Sequence, residues 1–293
     1  MKKILTIFTP AYNRAYTLHK CYESLKTQTY KEFVWVIIDD GSTDNTKELV
    51  KTWIAEKNLE IRYYYQKNQG MHGAHNRAYE VIDTELNVCI DSDDYMTDDA
   101  VEEIVNYWEK NKSEKLAGFG ALNLFENGDI IGTIFPKDLK ESRYFDLYKV
   151  HKVKGDKKFI YRTNLIKENP YPIFQDEKYV GLDYKYMKLD DRYLLGLMNK
   201  PVCVVEYLSD GSSLNMFRQY KNNPKGFSFY RIENLKNPRG SKLYKFKESI
   251  HYVASSILSK NKNFLKETPE KLLSILALPF GYILYRYILK KSQ

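Results

Sequence analysis

Cysteine is scarce in this chain of 293 residues, which contains only Cys21, Cys89 and Cys203. The three are widely spaced, and two of them lie in apolar runs typical of strands. A disulfide framework or a zinc site would need more cysteines at closer spacing. We therefore expect three reduced core residues in a cytoplasmic protein.

Signals of several other protein classes are also missing. The apolar run 4–8 is too short for the hydrophobic part of a signal peptide and Pro10 ends it, so we do not expect secretion. There is no G-x-x-x-x-G-K-[ST] sequence, and no G-x-G-x-x-G follows a predicted strand. These absences disfavour P-loop enzymes and dinucleotide binding. No recognised nucleic-acid-binding module is visible, so nucleic acid is not an expected partner.

Charge and aromatic residues are plentiful but unevenly distributed. Residues 1–139 carry 16 Lys/Arg and 23 Asp/Glu, a net charge of −7, whereas residues 140–293 carry 30 and 15, a net charge of +15. The 26 tyrosines and 14 phenylalanines suit a surface that handles rings, sugars or a membrane interface. The acidic half could hold a metal ion, and the basic half could meet a diphosphate or an anionic membrane.

The first part of the chain alternates strands and helices, as a parallel sheet requires. The predicted strands are 4–8, 33–38, 61–65 and 87–90, and the predicted helices are 17–27, 43–57, 73–82 and 98–111. After residue 116 the pattern indicates mixed pairing, with a hairpin at 125–130, a helix at 180–189 and strands at 193–198 and 201–207. The fold class is therefore α/β, with a mixed central sheet flanked by helices.

The most informative segment follows the fourth predicted strand, where Asp91, Ser92, Asp93 and Asp94 come directly after an apolar run. Carboxylates this close repel one another unless a cation or hydrogen-bond donors lie among them. Open α/β sheets also bind their ligands at the carboxyl ends of their strands. An isolated D-x-D-D would more often be a solvated turn, so the assignment of a metal site depends on other segments.

Three other segments also follow predicted strands. They read T-P-A-Y-N-R from Thr9, D-D-G-S-T-D from Asp39, and N-Q-G-M-H-G-A-H-N from Asn68. Together with the acidic segment and in this order, they make the chain resemble a family 2 glycosyltransferase with the GT-A fold, of the type found in bacterial capsule and cell-wall polysaccharide synthesis. The motifs cover about the first third of the chain.

The resemblance and the chemistry of these residue types imply a UDP-sugar site with Mn²⁺ or Mg²⁺. Asp93 would ligate the metal, with Asp91 bonding a ribose hydroxyl or a metal-bound water. Asp40 would accept from the imide N–H of uracil, a donor that cytosine lacks. The expected nucleotide-sugar contacts are Thr9, Pro10, Ala11, Tyr12, Arg14, Asp39, Asp40, Asn68, Gly70, His72, Asn76, Asp91 and Ser92.

Structural roles compete at several of these positions. Asp44 and Asp98 are expected to start helices, Asp94 is as well placed to cap a turn as to touch substrate, and Trp35 and Trp53 suit a core. His72 and His75, three residues apart, have no third soft ligand nearby. We therefore interpret them as a polar helix start.

An inverting transferase also needs a carboxylate that takes the proton from the acceptor hydroxyl. Members of the resembled family usually carry it at the start of a helix in the second half, often as Glu-Asp, and this chain departs from that pattern. We choose Asp183, which begins a predicted helix, and place Asp191 and Glu177 behind it. Asp190 and Asp191 resemble the acidic pair in type but are expected in a loop.

The domain expected to carry the GT-A fold spans 1–213, with a nucleotide-binding half at 1–112 and an acceptor half at 113–213. A basic, mainly helical region follows at 214–293. Its apolar run 272–289 is 18 residues long and is interrupted by Pro279, Gly281 and Arg286. A helix lying on a membrane surface is preferred to a crossing helix, and a helix packed on the domain or on a second subunit is the alternative.

The expected function is inverting, metal-dependent transfer of a sugar from a UDP-sugar to a glycan acceptor carried on a lipid diphosphate, at the inner face of the membrane. Two alternatives are a catalytically silent sugar-nucleotide-binding or scaffold subunit that helps a partner transferase, and a nucleotidyltransferase. A second copy of the chain, forming a homo-oligomer, is a further candidate partner. A haloacid dehalogenase phosphatase is disfavoured, because Tyr95 occupies the place where its motif needs Thr or Val.

Overall fold

A computed structural model describes residues 3–206 and 215–292. Contacts within the chain divide it into two units. The first comprises residues 1–68, 73–170 and 185–206, and the second comprises 69–72, 171–184 and 207–293. The predicted boundary at 213 and the predicted strand end at Tyr207 lie outside the described residues, so the domain division stays a prediction.

The described chain contains nine strands and thirteen helices. The strands are β1 (Leu5–Ala11), β2 (Phe33–Asp39), β3 (Ile61–Tyr65), β4 (Leu86–Cys89), β5 (Tyr95–Met96), β6 (Leu116–Leu124), β7 (Glu141–Ser142), β8 (Lys157–Arg162) and β9 (Leu194–Val204). The helices are α1 (Leu18–Lys26), α2 (Thr46–Glu56), α3 (Met71–Val81), α4 (Ala100–Asn111), α5 (Tyr144–Lys149), α6 (Thr163–Ile166), α7 (Asp183–Leu189), α8 (Met216–Asn222), α9 (Pro224–Lys236), α10 (Lys242–Leu258), α11 (Phe264–Glu267), α12 (Lys271–Leu276) and α13 (Leu278–Lys291).

The sheet of the first unit is built around β1. Every residue of β1 and of β2 is buried, as the continuous apolar runs of these strands require in a parallel sheet covered on both faces. The strand order is β3-β2-β1-β4-β8-β6-β9-β5, with β7 paired to β9. Strands β1 to β4 run parallel, and the chain proceeds from β1 outward to β3 before β4 returns to the other side of β1. This return creates a topological switch point between β1 and β4.

Beyond β4 the pairing is mixed, as expected. Strand β8 runs antiparallel to both β4 and β6, while β9 runs parallel to β6. The two strands predicted at 193–198 and 201–207 are one strand, β9, and register shifts near Pro201 accommodate a residue that cannot donate to the ladder. The predicted hairpin at 125–130 contains a single bridge between Leu124 and Ile130.

The core of the first unit confirms several predictions. Helix α1 buries the same four residues that its spacing predicts, Leu18, Cys21, Tyr22 and Leu25. The rings of Tyr22, Trp35 and Trp53 stack, with 4.4 Å between the centroids of Tyr22 and Trp53. Such stacking adds to the free energy gained by burying these large rings.

The second unit is mainly helical and is built around α9, α10 and α13. The rings of Tyr220 and Phe227 stack with centroids 3.7 Å apart, and Arg231 Nη1 donates to Glu248 Oε2 at 2.8 Å. A Cβ added to Gly281 of α13 would lie 2.4 Å from Val253 Cγ1 of α10, so glycine permits the close approach of these helices. Among the described residues, no helix combines the length and apolar character needed to cross a membrane.

Candidate active site

Three of the four motif segments meet at one edge of the sheet. Ala11 at the end of β1 is in register with Asp39 at the end of β2, and the Asp40 N–H donates to the Ala11 carbonyl at 2.8 Å. On the other side of β1, the Ile90 N–H donates to the Phe8 carbonyl at 3.0 Å and brings the following acidic segment to the same edge. The carboxylates of β2 and β4 therefore flank the switch point, where open α/β sheets bind ligands.

The segment after β1 is fastened to the segment after β2. Asn13, at φ 53°, accepts from the Thr43 N–H at 2.7 Å through its side chain and donates its own N–H to Ser42 Oγ at 2.9 Å. Asp44 accepts from the Thr46 N–H at 3.0 Å at the start of α2, which confirms its helix-start role. These bonds hold the two loops in a fixed arrangement before any ligand binds.

The predicted contacts on β1 differ in what their side chains face. Thr9 is fully buried, and its hydroxyl accepts from the Trp35 indole N–H at 3.0 Å, so this side chain serves the core. Pro10 and Ala11 are also buried. Tyr12 is 50% exposed, and Arg14 Nη1 donates to Tyr16 Oη at 2.5 Å. Within this segment, Tyr12 and Arg14 are therefore the side chains with access to a ligand.

Asp39 and Asp40 are adjacent but have different partners. Asp39 is fully buried and accepts from the Ser42 N–H at 2.7 Å and from the Tyr63 hydroxyl at 2.5 Å. Burial and this bond raise the pKa of Tyr63, so the hydroxyl stays a donor. Asp40 is also buried, at 3% exposure, and accepts from Gln66 Nε2 at 2.7 Å. Asp39 thus supports the turn at Gly41, and Asp40 is the better candidate for contact with a base.

Gly41 allows the segment after β3 to approach the β2 turn. Its φ is +86°, and an added Cβ would lie 2.9 Å from the Asn68 backbone nitrogen. A larger residue would be strained by both the conformation and the contact. Asn68 is thereby placed beside the Asp39–Gly41 turn.

The acidic segment is a tight turn with one deeply buried carboxylate. The Asp94 N–H donates to the Asp91 carbonyl at 3.0 Å, and Asp94 is 2% exposed. Asp94 Oδ2 lies 3.4 Å from Lys158 Nζ of β8, and Oδ1 accepts from the Glu206 N–H at 3.3 Å. Burial raises the pKa of Asp94 to about 7 despite the opposing charge of Lys158. Asp94 is therefore held within the protein, whereas Asp91 and Asp93 are half-buried and Ser92 is buried.

The donor set of this turn fits a hard divalent ion that shares its ligands with a substrate. In residues 3–206 and 215–292, no group of three or more His, Cys, Asp or Glu side chains is arranged to hold a metal by itself. Asp91 and Asp93 offer two carboxylates at most. Mg²⁺ is commonly held by one or two carboxylates, with substrate phosphates and water completing the shell, so the residues present fit Mg²⁺ or Mn²⁺ in this mode.

Helix α3 places His75 in the core and Asn76 at a cavity. His75 Nδ1 lies 3.3 Å from the Tyr79 hydroxyl and Nε2 lies 3.6 Å from Cys89 Sγ. The interpretation of His75 as a polar helix start is therefore wrong, because its ring is buried against Phe8. A cavity of about 170 Å³ is lined by Asn76, Tyr79, Glu80, Lys167, Pro170 and Lys185.

Lys185, which the sequence did not single out, lies beside this cavity. It is 2% exposed, donates to the Ile166 carbonyl at 2.8 Å and lies 4.4 Å from the centre of the Tyr79 ring. Burial lowers the pKa of Lys185 to about 7. Its spacing along α7 identifies an inward position, but nothing local indicates that a lysine there is buried.

Gly70 and His72 belong to the second unit. Gly70 has a φ of +81°, and an added Cβ would lie 2.1 Å from the Lys178 carbonyl oxygen, so no other residue fits without moving the backbone. His72 is 1% exposed. Burial and the nearby charge of Lys178 lower the pKa of His72 to about 4, so the imidazole is neutral near pH 7.

The three candidate bases have distinct surroundings. Both carboxylate oxygens of Glu177 accept backbone N–H groups at the start of α9, from Lys225 at 3.0 Å and from Gly226 at 2.8 Å. Glu177 is thereby engaged in capping α9. Asp183 begins α7, as predicted, and its Oδ2 accepts from the Tyr230 hydroxyl at 2.6 Å. Burial raises the pKa of Asp183 although this bond opposes the shift.

Asp191 is exposed in the turn after α7, which confirms the loop predicted for the acidic pair. The neighbouring Asp190 is buried, and its oxygens accept from the Tyr144 and Phe145 N–H groups at the start of α5, both at 2.6 Å. Of the three candidates, Asp183 alone combines a helix start, a raised pKa and a single side-chain donor. The assignment of a base stays a prediction.

Solved structures similar to this chain share its fold. The chain aligns over 99% of its length with S. aureus TarS 1-349 in complex with UDP-GlcNAc, covering 88% of that chain at 18% identity and a TM-score of 0.63. It aligns over 98% of its length with the mannosyltransferase PcManGT from Pyrobaculum calidifontis in complex with GDP-Man and Mn²⁺, covering 82% of that chain at 18% identity and a TM-score of 0.58. The fold is GT-A-like, as expected.

Curated relatives match over a shorter stretch. Glycosyltransferase GlyA of Streptococcus pneumoniae is 33% identical over 131 residues, which are 40% of this chain and 19% of that protein. Chondroitin synthase of Escherichia coli is 31% identical over 128 residues, which are 44% of this chain and 18% of that protein. The chain thus covers about a fifth of the length of these relatives. The model of Glycosyl transferase family 2 matches residues 6–168, more than half of the chain, which therefore belongs to this family.

Proposed function

We propose that the chain transfers a sugar from a UDP-sugar to a glycan acceptor with inversion at the anomeric carbon. The observation that carries the proposal is the meeting of Asp40 with Asp91 and Asp93 at the switch point of the sheet. One edge of the sheet thereby offers an acceptor for a base and two carboxylates for a metal-bound diphosphate. Such a division suits the two ends of a nucleotide diphosphate.

Uracil is the proposed base of the donor nucleotide. Asp40 accepts from Gln66 Nε2 at 2.7 Å, and this bond orients its carboxyl group at the sheet edge. A carboxylate there can accept from the imide N–H of uracil. The TarS structure contains UDP-GlcNAc and supports this choice, while PcManGT contains GDP-Man and makes guanine the competing base.

Asp93 would hold the metal ion, with Asp91 bonding a ribose hydroxyl or a metal-bound water. When bound, a divalent ion neutralises charge that develops on the leaving diphosphate. Lys158 compensates the charge of the buried Asp94. The two less buried carboxylates of the turn, Asp91 and Asp93, are the ones proposed to face the ligand. From the β1 segment, the exposed Tyr12 and the half-buried Arg14 are the proposed donor contacts, and Asn68, Gly70, His72 and Asn76 remain proposed donor contacts.

Asp183 is the proposed general base. As the acceptor hydroxyl attacks the anomeric carbon, Asp183 takes its proton, the bond to the diphosphate oxygen breaks, and the leaving group departs with its electron pair. Its raised pKa makes the carboxylate a stronger base than an exposed aspartate. Glu177 is less suited because it caps α9, and Asp191 remains the second candidate because it is exposed.

The proposed acceptor is a glycan carried on a lipid diphosphate, used in bacterial surface polysaccharide synthesis at the inner face of the membrane. The names of GlyA and chondroitin synthase, both from bacteria, support glycan assembly. The basic character of residues 140–293 supports an anionic acceptor or membrane.

Release of UDP during incubation with a panel of UDP-sugars, Mn²⁺ and lipid-linked acceptors tests the proposal. Asp93→Asn should abolish metal-dependent turnover and leave the melting temperature unchanged, whereas Asp98→Asn, which changes an exposed carboxylate nearby, should keep full activity. Metal-dependent UDP binding without turnover of any donor would favour the silent binding subunit. Release of pyrophosphate from a nucleoside triphosphate with a sugar phosphate would favour a nucleotidyltransferase.

A further inference from the structure

Two short helices near the end of the second unit present an apolar stripe to solvent. The stripe consists of Leu272, Ile275, Leu276, Phe280, Ile283 and Tyr287, and we call it the apolar face. Leu272 is 70% and Ile283 is 65% exposed. Within α13, Phe280, Ile283 and Tyr287 follow one another at steps of three and four residues, which places them along one side of that helix.

The apolar face is not needed to pack these helices. A second stripe on the same helices, formed by Ser274, Ala277, Gly281 and Ile288, is buried. Gly281 of this buried stripe lies against Val253 of α10. Because the inner stripe already packs the helices into the second unit, the outer one leaves an apolar surface without a structural function. A contiguous exposed apolar surface of this kind marks an interaction site.

The charge around the apolar face is of one sign. Between residues 271 and 292 the sequence has Lys271, Arg286, Lys290 and Lys291 and no Asp or Glu. Over residues 215–292 there are 16 Lys/Arg and 4 Asp/Glu, a net charge of +12. Glu248 and Glu270, two of the four acids, are paired with Arg231 and Lys245. The surroundings of the apolar face are therefore complementary to an anionic partner.

We propose that the apolar face binds the surface of an anionic lipid bilayer, with α12 and α13 lying in the interface. The aliphatic side chains would enter the region below the headgroups, Tyr282 and Tyr287 would lie at headgroup level, and the lysines would contact lipid phosphates. A second copy of the chain is a poorer occupant. Pairing of two copies through this face would bring two basic segments together, because residues 271–292 of each copy carry Lys and Arg and no Asp or Glu, and like charges repel.

This inference goes beyond the proposed transfer reaction, because membrane binding can be measured with neither donor nor acceptor. The test is co-sedimentation of the chain with vesicles of phosphatidylcholine alone or of phosphatidylcholine mixed with phosphatidylglycerol. We expect binding to the anionic vesicles, weakening as salt is added. The double variant Leu272→Asp/Ile283→Asp should lose about tenfold or more in affinity, because two large apolar side chains no longer enter the bilayer.

Two further variants separate the contributions. Lys290→Ser/Lys291→Ser should lose about fivefold for each lysine on anionic vesicles only. Val150→Asp, which changes a 61% exposed apolar residue of the first unit, should bind like the unmodified chain. All variants should keep the same circular dichroism and melting temperature. The proposal is overturned by a chain that pellets with neither vesicle, by binding that survives Leu272→Asp/Ile283→Asp, or by a variant effect confined to self-association in sedimentation velocity.

Discussion

Lys158 Nζ lies 3.4 Å from Asp94 Oδ2, and both residues are buried, at 9% and 2% exposure. Lys158 comes from the middle strand β8, and Asp94 ends the acidic turn after β4. The lysine therefore compensates a carboxylate in the same turn that carries the proposed metal ligands. An uncompensated charge at this depth would be costly, so the pair is expected to hold the turn in shape.

Lys158→Met should lower the free energy of unfolding by an amount on the order of 3 kcal/mol, because it leaves Asp94 buried without its cation. Urea denaturation measures this loss, and Asp94→Asn in the same chain should restore much of it. Lys112→Met, which breaks an exposed pair with Glu109, should cost less than about 1 kcal/mol. If Lys158→Met and Lys112→Met lowered the free energy of unfolding equally, burial of Lys158 would not strengthen its contribution to stability.

The sheet strands β1 to β4 were predictable because parallel strands buried on both faces are continuous apolar runs between turn residues. Mixed pairing beyond β4 was predicted, but the pairing partners were not, since β8 lies between β4 and β6 in the sheet and both precede it in the chain by more than thirty residues. Lys157 and Lys158 are both buried, at 7% and 9% exposure. In the sequence K-K-F-I-Y-R, nothing local indicates that two adjacent lysines point into the protein.

Tyr230→Phe should move the acidic limb of the pH–rate profile to higher pH if Asp183 is the base. Burial raises the pKa of Asp183, and the hydrogen bond from Tyr230 opposes this by stabilising the carboxylate. Removing the donor should therefore raise the pKa of Asp183 further, because the carboxylate loses a hydrogen bond that stabilises its charged form. Turnover measured across pH with saturating donor checks this.

Tyr252→Phe is the matched control, because its hydroxyl donates to the Phe264 carbonyl at 2.8 Å in the same unit and does not contact Asp183. It should leave the acidic limb in place. An unchanged pH–rate profile for Tyr230→Phe, with turnover retained, would contradict the assignment of Asp183 as the general base and favour Asp191.

The donor side of the candidate site could be predicted, whereas the base could not. Asp40, Asp91 and Asp93 each follow a strand of a parallel sheet, and strand order alone brings such positions to one edge. Among Glu177, Asp183 and Asp191, the sequence distinguishes Asp183 only by its place at the start of a predicted helix. Their different roles come from contacts with residues far along the chain, such as Gly226 at the start of α9 and Tyr230 within it.

Gly70→Ala should destabilise the chain more than Gly128→Ala. Both glycines have positive φ, +81° and +86°, so both variants incur the strain of a left-handed alanine, about 1–2 kcal/mol. Only at Gly70 would the new Cβ meet backbone, 2.1 Å from the Lys178 carbonyl oxygen, while nothing lies within 4 Å at Gly128. The difference in melting temperature isolates the close contact, and similar losses for both variants would contradict it.

Acid should destabilise the second unit through two histidines, His72, which is buried, and His251, which is half-buried. Burial lowers the pKa of each to about 4, with positive charge nearby contributing, from Lys178 for His72 and from Arg231 for His251. The unfolded chain binds a proton near pH 6.5, and the folded chain resists protonation until about pH 4. Their contribution to stability is therefore complete above pH 6.5 and is lost as the pH falls toward 4, at about 1.4 kcal/mol per pH unit for each histidine.

Urea denaturation at pH values from 7.5 down to 4.5, monitored by far-UV circular dichroism, should show this slope. His251→Asn should reduce it by about half, whereas His19→Asn, which changes an exposed histidine, should leave it intact. A slope that is the same in both variants would mean that protonation of His251 does not oppose folding.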